Sequence, residues 1–279
     1  MKNIHLPIPF WKMSGAGNDF IVIDHRQPLI PKERMADFAR LVCRRKFSVG
    51  ADGLFLLEPS ARADFQWRFF NADGSEAEMC GNGARCVARF AYMQGIAAAR
   101  MRFDTLAGIV DATVADTEVT IRMPPPHSFR FDRQVEVAGQ LVMVHSVDTG
   151  VPHAVIFVDD IDAVDAVGLG RQIRHHPAFA PAGTNVNFVG RTEGGFRIRT
   201  YERGVEDETM ACGTGVAAGA LIAAAKGLAD SAVDMVTSGG ITLTVHLSSG
   251  QDADVAQVML KGPAHLIYKG ELTAEALIG

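Results

Sequence analysis

Glu202-Arg203-Gly204-Val205-Glu206-Asp207-Glu208-Thr209-Met210-Ala211-Cys212-Gly213-Thr214-Gly215, followed by the small-residue run 216–225, is the stretch that decides how this chain is read. It describes an acidic loop delivering a cysteine to the first turn of a helix, with glycines beyond it that leave backbone N–H groups uncovered. The first N–H groups of a helix lack intrahelical partners and its dipole is positive there, so such a start attracts negative charge. A thiol in that place is expected to have its pKa lowered from about 8.5 towards roughly 3.5–7.5, making it a base or nucleophile near neutral pH.

The stretch has a twin in Asn71-Ala72-Asp73-Gly74-Ser75-Glu76-Ala77-Glu78-Met79-Cys80-Gly81-Asn82-Gly83. Again an acidic loop runs into Cys-Gly-x-Gly and a helical pattern, with Glu76 four residues before Cys80 as Glu208 is before Cys212. Cys80 and Cys212 stand 132 positions apart, and so do Gly108 of Thr105-Leu106-Ala107-Gly108 and Gly240 of Thr237-Ser238-Gly239-Gly240. Earlier, Gly17-Asn18-Asp19-Phe20-Ile21-Val22-Ile23-Asp24 rhymes with Val151-Pro152-His153-Ala154-Val155-Ile156-Phe157-Val158-Asp159. Register kept over such distances implies an internal duplication, two similar α/β domains each contributing one cysteine at a helix N-terminus.

A length of 279 residues suits about two domains, each large enough for its own core. The balance of 48% hydrophobic and 21% charged residues is that of a soluble globular chain. A net charge of −5 argues against a nucleic-acid or anionic-membrane partner. The apolar run 216–225 is too short and too rich in Ala and Gly to span a bilayer, and Pro7 and Pro9 interrupt the N-terminus, which lacks a signal-peptide pattern. The expectation is a cytoplasmic protein whose Cys43, Cys80, Cys86 and Cys212 are reduced.

In order, residues 10–24 read as two strands about the turn Ser14-Gly15-Ala16-Gly17-Asn18, which lacks the third glycine and following helix of a dinucleotide fingerprint. Pro31 opens a helix whose Met35, Phe38, Ala39 and Val42 share one face, and Arg44-Arg45-Lys46 complements its C-terminus. Strands are expected over 52–58, 65–70, 101–105, 109–114 and 119–123, with a helix from Gly83 to near Gly95 that buries Ala84, Val87, Ala88 and Ala91. Cys86 lies more than a turn inside that helix and reads as core. Pro124-Pro125-Pro126 cannot continue a ladder and marks the crossing between halves. The second half reads as strands at 135–137, 141–147 and 154–158, a helix over 162–175 and strands after Gly183. His175 and His176 are read as solvated residues with no third ligand in metal spacing.

Among chemistries open to two helix-capping thiols, zinc binding and thiol–disulfide exchange call for Cys-x-x-Cys, which is missing. A thiol hydrolase could pair one cysteine with His153 but would leave the other idle. Two like acid/base groups facing each other across a cleft suit removal of a proton from one face of a carbon and delivery to the other, which is racemisation or epimerisation. The bare N–H groups of Gly81-Asn82-Gly83 and Gly213-Thr214-Gly215 could grip a substrate carboxylate and stabilise the carbanion-like charge. One thiol must start ionised and its partner protonated, a coupled pair. No cofactor signature is present and the scheme requires none; no metal site is expected.

At these residues the chain resembles diaminopimelate epimerase. The likeness runs through Lys12-Met13-x-Gly-x-Gly-Asn18-Asp19-Phe20, Phe70-Asn71-Ala72-Asp73-Gly74-Ser75-Glu76, Met79-Cys80-Gly81-Asn82-Gly83-Ala84-Arg85-Cys86, Gly183-Thr184-Asn185-Val186-Asn187-Phe188 and Tyr201-Glu202-Arg203-Gly204 through Gly215. It implies Cys80 and Cys212 as the two bases, tuned by His153 and Glu208. It also implies a small amino-acid substrate held by Asn18, Asn71, Asn185, Glu202 and Arg203 and by the backbones of Gly81-Asn82 and Gly213-Thr214. Physically, Arg203 with Glu202 suits a distal amino-acid end that carries a carboxylate and an ammonium group. The alternative is a racemase of proline, hydroxyproline or histidine on the same scaffold. A rival of another class is an amino-acid-binding module or thiol redox sensor.

Two departures bear on the distal end. Gly150-Val151-Pro152-His153 has valine where many members carry asparagine, and Gly53 stands where some carry glutamine. The implied fold is α/β (α+β), two pseudo-symmetric domains, each a curved, mostly antiparallel sheet around a central helix. Residues 1–126 with the returning strand 264–279 form the expected first half and 127–263 the second. The resemblance further implies closure on substrate and a homodimer.

Overall fold

The structure, a computed structural model, describes residues 4–249 and 255–278. Residues 1–3 and 279, at the ends of the expected first half, and 250–254 in the expected second lie outside the described residues. The chain divides into two compact units, Met1–Ile121 with Pro263–Gly279, and Arg122–Gly262.

The first unit opens with β1 (Ile8–Gly15) and β2 (Asn18–Asp24), an antiparallel hairpin turned by Ala16 and Gly17, whose φ values of 49° and 101° are both left-handed as a tight hairpin requires. A 3₁₀ turn leads into α1 (Met35–Val42), which buries Met35, Phe38, Ala39 and Val42, the face its spacing predicted. The crossover returns to β3 (Gly53–Glu58), parallel to β2. Then β4 (Phe65–Asn71) runs antiparallel to β3, and short β5 (Glu76–Ala77) folds back on β4. After α2 (Gly81–Met93) the chain lays β6 (Arg100–Thr105) parallel to β4 and adds β7 (Gly108–Ala115) and β8 (Glu118–Arg122) as a meander. α2 packs against β1, β2 and β7, so the sheet curves around it. The buried side chains of Ala84, Val87, Ala88, Phe90 and Ala91, with Cys86 fully enclosed, make this contact; each large apolar one contributes roughly 1.5–3 kcal/mol.

The second unit repeats the plan. Strand β9 (His127–Val137) pairs with β10 (Gln140–Asp148), and β10 and β11 (Pro152–Val158) are antiparallel. A crossover through α3 (Ala166–Arg174) leads to β12 (Asn185–Thr192), parallel to β11. β13 (Gly195–Glu202) is antiparallel to β12, and short β14 (Asp207–Thr209) folds back on β13. After α4 (Gly213–Ala225), β15 (Ala232–Val236) lies parallel to β13 and continues into β16 (Thr242–Ser249) and β17 (Val255–Pro263). Every pairing from β10 to β17 has the sense of its counterpart from β1 to β8, so the duplication read from the cysteine loops extends to topology. α4 is apolar all round and accordingly enclosed, packing on β10, β11, β12, β13, β15 and β16. The chain ends in the first unit with β18 (His265–Leu272), antiparallel to β1 and packed on α2.

Two elements differ from expectation. β9 starts at His127 rather than 135 because its first six side chains are all exposed, leaving no alternation to read. α3 starts at Ala166 rather than 162 because the Asp165 carboxylate accepts the Gly168 N–H at 2.8 Å and caps the helix there.

Candidate active site

In the first unit, Cys80 is the N-cap residue of α2, with extended backbone, and its Sγ accepts the Gly83 N–H at 3.4 Å. Gly83 is where the helix meets the sheet: a Cβ there would run into the Phe55 ring. Beside the cysteine a row of hydrogen bonds begins at Arg85, whose Nη2 donates to Asn82 Oδ1 at 2.6 Å. Asn82 Nδ2 donates to Asn18 Oδ1 at 2.8 Å, and Asn18 Nδ2 donates to Asp52 Oδ2 at 2.9 Å. A guanidinium can only donate, so the direction of the whole row is set from its Arg85 end, and each asparagine keeps a second amide N–H for another acceptor. Arg45 holds Asp52 from the far side at 2.8 Å and also grips Asp19. Arg45, expected to complement the α1 terminus, thus anchors the row instead. Asn71 is exposed, and its Nδ2 donates to Ser75 Oγ at 3.0 Å, closing the loop ahead of β5. At Gly53 a Cβ would lie 2.6 Å from the Phe69 ring and 2.8 Å from the Phe70 carbonyl oxygen, so aromatic packing fills the space a longer side chain would need.

In the second unit, Cys212 caps α4 in the same extended conformation, with Thr214 Oγ1 3.3 Å from its Sγ. Thr149 Oγ1 donates to the Thr214 carbonyl oxygen at 3.0 Å, tying the turn before His153 to the same helix start. Burial raises the pKa of Glu202, whose carboxyl faces Thr209 and the Cys212 thiol. Burial, reinforced by the Glu202 carboxylate, pushes the Cys212 thiol up to about 12. This corrects the expectation of a lowered pKa at Cys212: desolvation of the thiolate outweighs the helix N–H groups.

His153 is fully buried on β11, next to Asn185 in the parallel register. Asn187 Nδ2 donates to the Ala154 carbonyl oxygen at 2.8 Å and to His153 Nδ1 at 3.0 Å, while its Oδ1 accepts from Thr200 Oγ1 at 3.0 Å. The imidazole proton is therefore on Nε2, which is buried and has no partner among the described residues. Burial pushes the His153 pKa down to about 3, with the Arg203 charge acting in the same sense. His153 is a neutral donor. Asn185 Oδ1 accepts the Arg203 backbone N–H at 2.8 Å and its Nδ2 donates to the Pro152 carbonyl oxygen at 3.1 Å. The Arg203 guanidinium donates to the Ala182 carbonyl oxygen at 3.2 Å.

Glu208 is placed differently from expectation. Its carboxylate is bound by Arg199 through two hydrogen bonds of 2.9 and 2.7 Å and by Ser238 Oγ at 2.7 Å. In the first unit, Arg68 binds Glu76 in the same two-pronged way at 2.7 and 2.8 Å. The glutamate four residues before each cysteine is thus a repeated clamp between the long strand and the short one. The carboxylate that reaches a thiol is Glu202. Sequence reasoning also missed Arg85, Asn187 and Thr200; the signal present was a polar residue in an otherwise apolar helix or strand.

Residues 10–128 and 145–267 match the model of the diaminopimelate epimerase family. The chain belongs to that family. It is an isomerase. Among its relatives is the diaminopimelate epimerase of Aquifex aeolicus, 45% identical over 280 residues, covering 96% of this chain and 99% of the relative. That of Methanocella arvoryzae is 40% identical, covering 96% and 98%. Similar solved structures include a Bacillus anthracis phenazine biosynthesis protein of the PhzF family, with TM-score 0.75 and 16% identity over 96% of this chain and all of that one. A probable proline racemase from Agrobacterium radiobacter follows at TM-score 0.70 and 18% identity, covering 96% and 93%. At such identities these structures share the diaminopimelate epimerase fold and carry no argument about substrate, so a proline or hydroxyproline racemase is not favoured.

Proposed function

We propose that this chain converts L,L-diaminopimelate to the meso isomer, for lysine and peptidoglycan synthesis, by a two-cysteine acid/base mechanism that draws on no cofactor. The observation that carries the reading is the repetition: in each of two topologically equivalent units a cysteine is the N-cap of the central helix. In this scheme one cysteine, as thiolate, takes the α-proton, and the other, as thiol, delivers a proton to the opposite face. The charge that develops beside the substrate carboxylate is met by N–H groups of Gly81-Asn82 and Gly213-Thr214. In the reverse direction the thiols exchange roles.

Asn18 and Asn82 present their remaining amide N–H groups to a substrate oxygen, and Asn71, Asn185, Glu202 and Arg203 stay as candidates for the rest of the substrate. His153 supplies a neutral Nε2–H donor rather than a base. The tuning role expected of Glu208 passes to Glu202, which lies beside the Cys212 thiol. The organisation into halves of 1–126 with 264–279, and 127–263, belongs to the same reading. From the family resemblance we infer a homodimer and a cytoplasmic setting. Among the described residues no helix is long and apolar enough to cross a membrane.

The test is incubation of the reduced protein with L,L-diaminopimelate in D2O without cofactor, following α-proton loss by NMR and isomers by chiral separation. The expected result is the meso isomer with deuterium at the inverted centre. Exchange with proline, hydroxyproline or histidine instead would make the chain a sister racemase, and no exchange at all would leave a binding protein.

A further inference from the structure

Arg85 is the largest fully buried side chain of the described residues. It makes no ion pair with a carboxylate among them. Its Nη2 bonds Asn82 Oδ1 at 2.6 Å, its Nη1 reaches the Gly81 carbonyl oxygen at 3.4 Å, and its Nε has no partner. Both partners directly follow Cys80, so the guanidinium is held at the first turn of α2. A guanidinium stays protonated in proteins, and a buried charge without a counter-charge is costly. The groups whose charge acts on it are Cys86, Cys80 and Glu118.

Cys86 is enclosed within the helix, and burial pushes it up to about 12, so it remains a thiol. Glu118 is the weakest of the three influences. On the strands packed against α2, Lys12 is engaged with Asp19, Asp19 with Arg45, Asp24 with Arg26, Asp111 with Arg102 and Lys269 over Trp11, and Glu271 is exposed. Arg89, further along α2, donates to the carbonyl oxygens of Asp116 and Ala264. What remains to balance the guanidinium is a negative charge on Cys80 itself.

We propose that Arg85 is a positioning residue whose buried, unpaired guanidinium holds Cys80 as the thiolate at rest, leaving Cys212 as the thiol. The inference deepens the two-base reading and rests on it. It makes the two cysteines of the duplication unequal. Cys80 starts half-exposed, within reach of the Arg85 charge; Cys212 starts buried, beside the Glu202 carboxyl. No corresponding buried arginine stands in α4, where residues 216–218 are Val216, Ala217 and Ala218.

The experiment titrates ultraviolet thiolate absorbance in Cys212→Ala protein. Burial holds Cys43 and Cys86 near 12, so the lower transition belongs to Cys80. Adding Arg85→Gln keeps an amide donor for Asn82 Oδ1 and removes the charge; Arg85→Lys keeps the charge. The Cys80 transition is expected to rise by about one pH unit, a tenfold loss of thiolate below it, in Arg85→Gln, and to return most of the way in Arg85→Lys. An unmoved transition in folded Arg85→Gln protein overturns the proposal.

Should that variant not fold, the pH dependence of iodoacetamide labelling in the unaltered protein decides, with each cysteine followed by peptide mapping. A lower midpoint for Cys80 than for Cys212 supports the assignment, and equal or reversed midpoints overturn it. Neither readout uses diaminopimelate, so failure here and failure of the epimerase reading are distinguishable.

Discussion

Replacing each of two glutamates by glutamine separates chemistry from scaffolding in the second cysteine loop. Glu202 is half-buried with its carboxyl facing the Cys212 thiol, whereas Glu208 is bound to Arg199 and Ser238. Glu202→Gln removes the carboxyl that faces Cys212. General acid/base groups contribute about 10²–10⁴ in rate, so kcat is expected to fall by roughly that factor, about 3–5 kcal/mol of transition-state stabilisation.

Thermal stability should hardly change, since a neutral amide of the same shape replaces a half-buried carboxyl. The Cys212 thiolate should also form at lower pH, because a raising charge is gone. Glu208→Gln breaks a two-pronged ion pair whose side chains are 19% and 23% exposed. Hydrogen bonds to charged groups are worth about 1.5–3 kcal/mol, reduced to about 1–2 by solvent screening at a partly exposed site. The expected result is a lower Tm by a few degrees, with kcat measured well below that Tm largely kept. Steady-state epimerisation kinetics and thermal melts of both variants make the comparison. Wild-type kcat in Glu202→Gln would refute the reasoning. So would a loss in Glu208→Gln that equals it without any change in Tm.

Cys80→Ala and Cys212→Ala should each abolish epimerisation of L,L-diaminopimelate while keeping the thermal melt, and normal turnover by either variant would sink the two-base scheme. His153 is buried with its folded pKa pushed down to about 3 from an ordinary value near 6.5. Below about pH 6.5 the unfolded chain binds a proton that the folded one refuses, so stability falls with decreasing pH, by at most about 1.4 kcal/mol per unit, down towards the folded pKa. Denaturation of His153→Gln between neutrality and pH about 4 should show a shallower acid slope than wild type; parallel slopes would contradict this. Gly83→Ala drives a methyl into the Phe55 ring and should cost about 1–3 kcal/mol by overpacking. Gly215→Ala drives one into Asn187 Oδ1 and lies 3.2 Å from Thr200 Oγ1, so it should lower kcat through His153 beyond its effect on stability, as kinetics and melts of the two variants will show.

What the sequence by itself determined is what short-range pattern encodes. Repeated loops placed both cysteines at helix starts, helical spacing picked the buried face of α1, and the even register between halves announced two copies of one topology. Boundaries failed where the pattern was silent, as along the exposed start of β9.

Only the tertiary structure decided the electrostatics. The same helix-capping motif expected to acidify a thiol carries Cys212 at about 12, because burial and Glu202 from a neighbouring strand outweigh the local N–H groups. The glutamate at equal spacing before each cysteine turned out to clamp an arginine one strand away. His153 is a donor because Asn187 and Thr200, on adjacent strands, settle its tautomer. Desolvation and charge act through space, so a group's pKa depends on residues brought to it by packing, and no spacing along the chain contains that information.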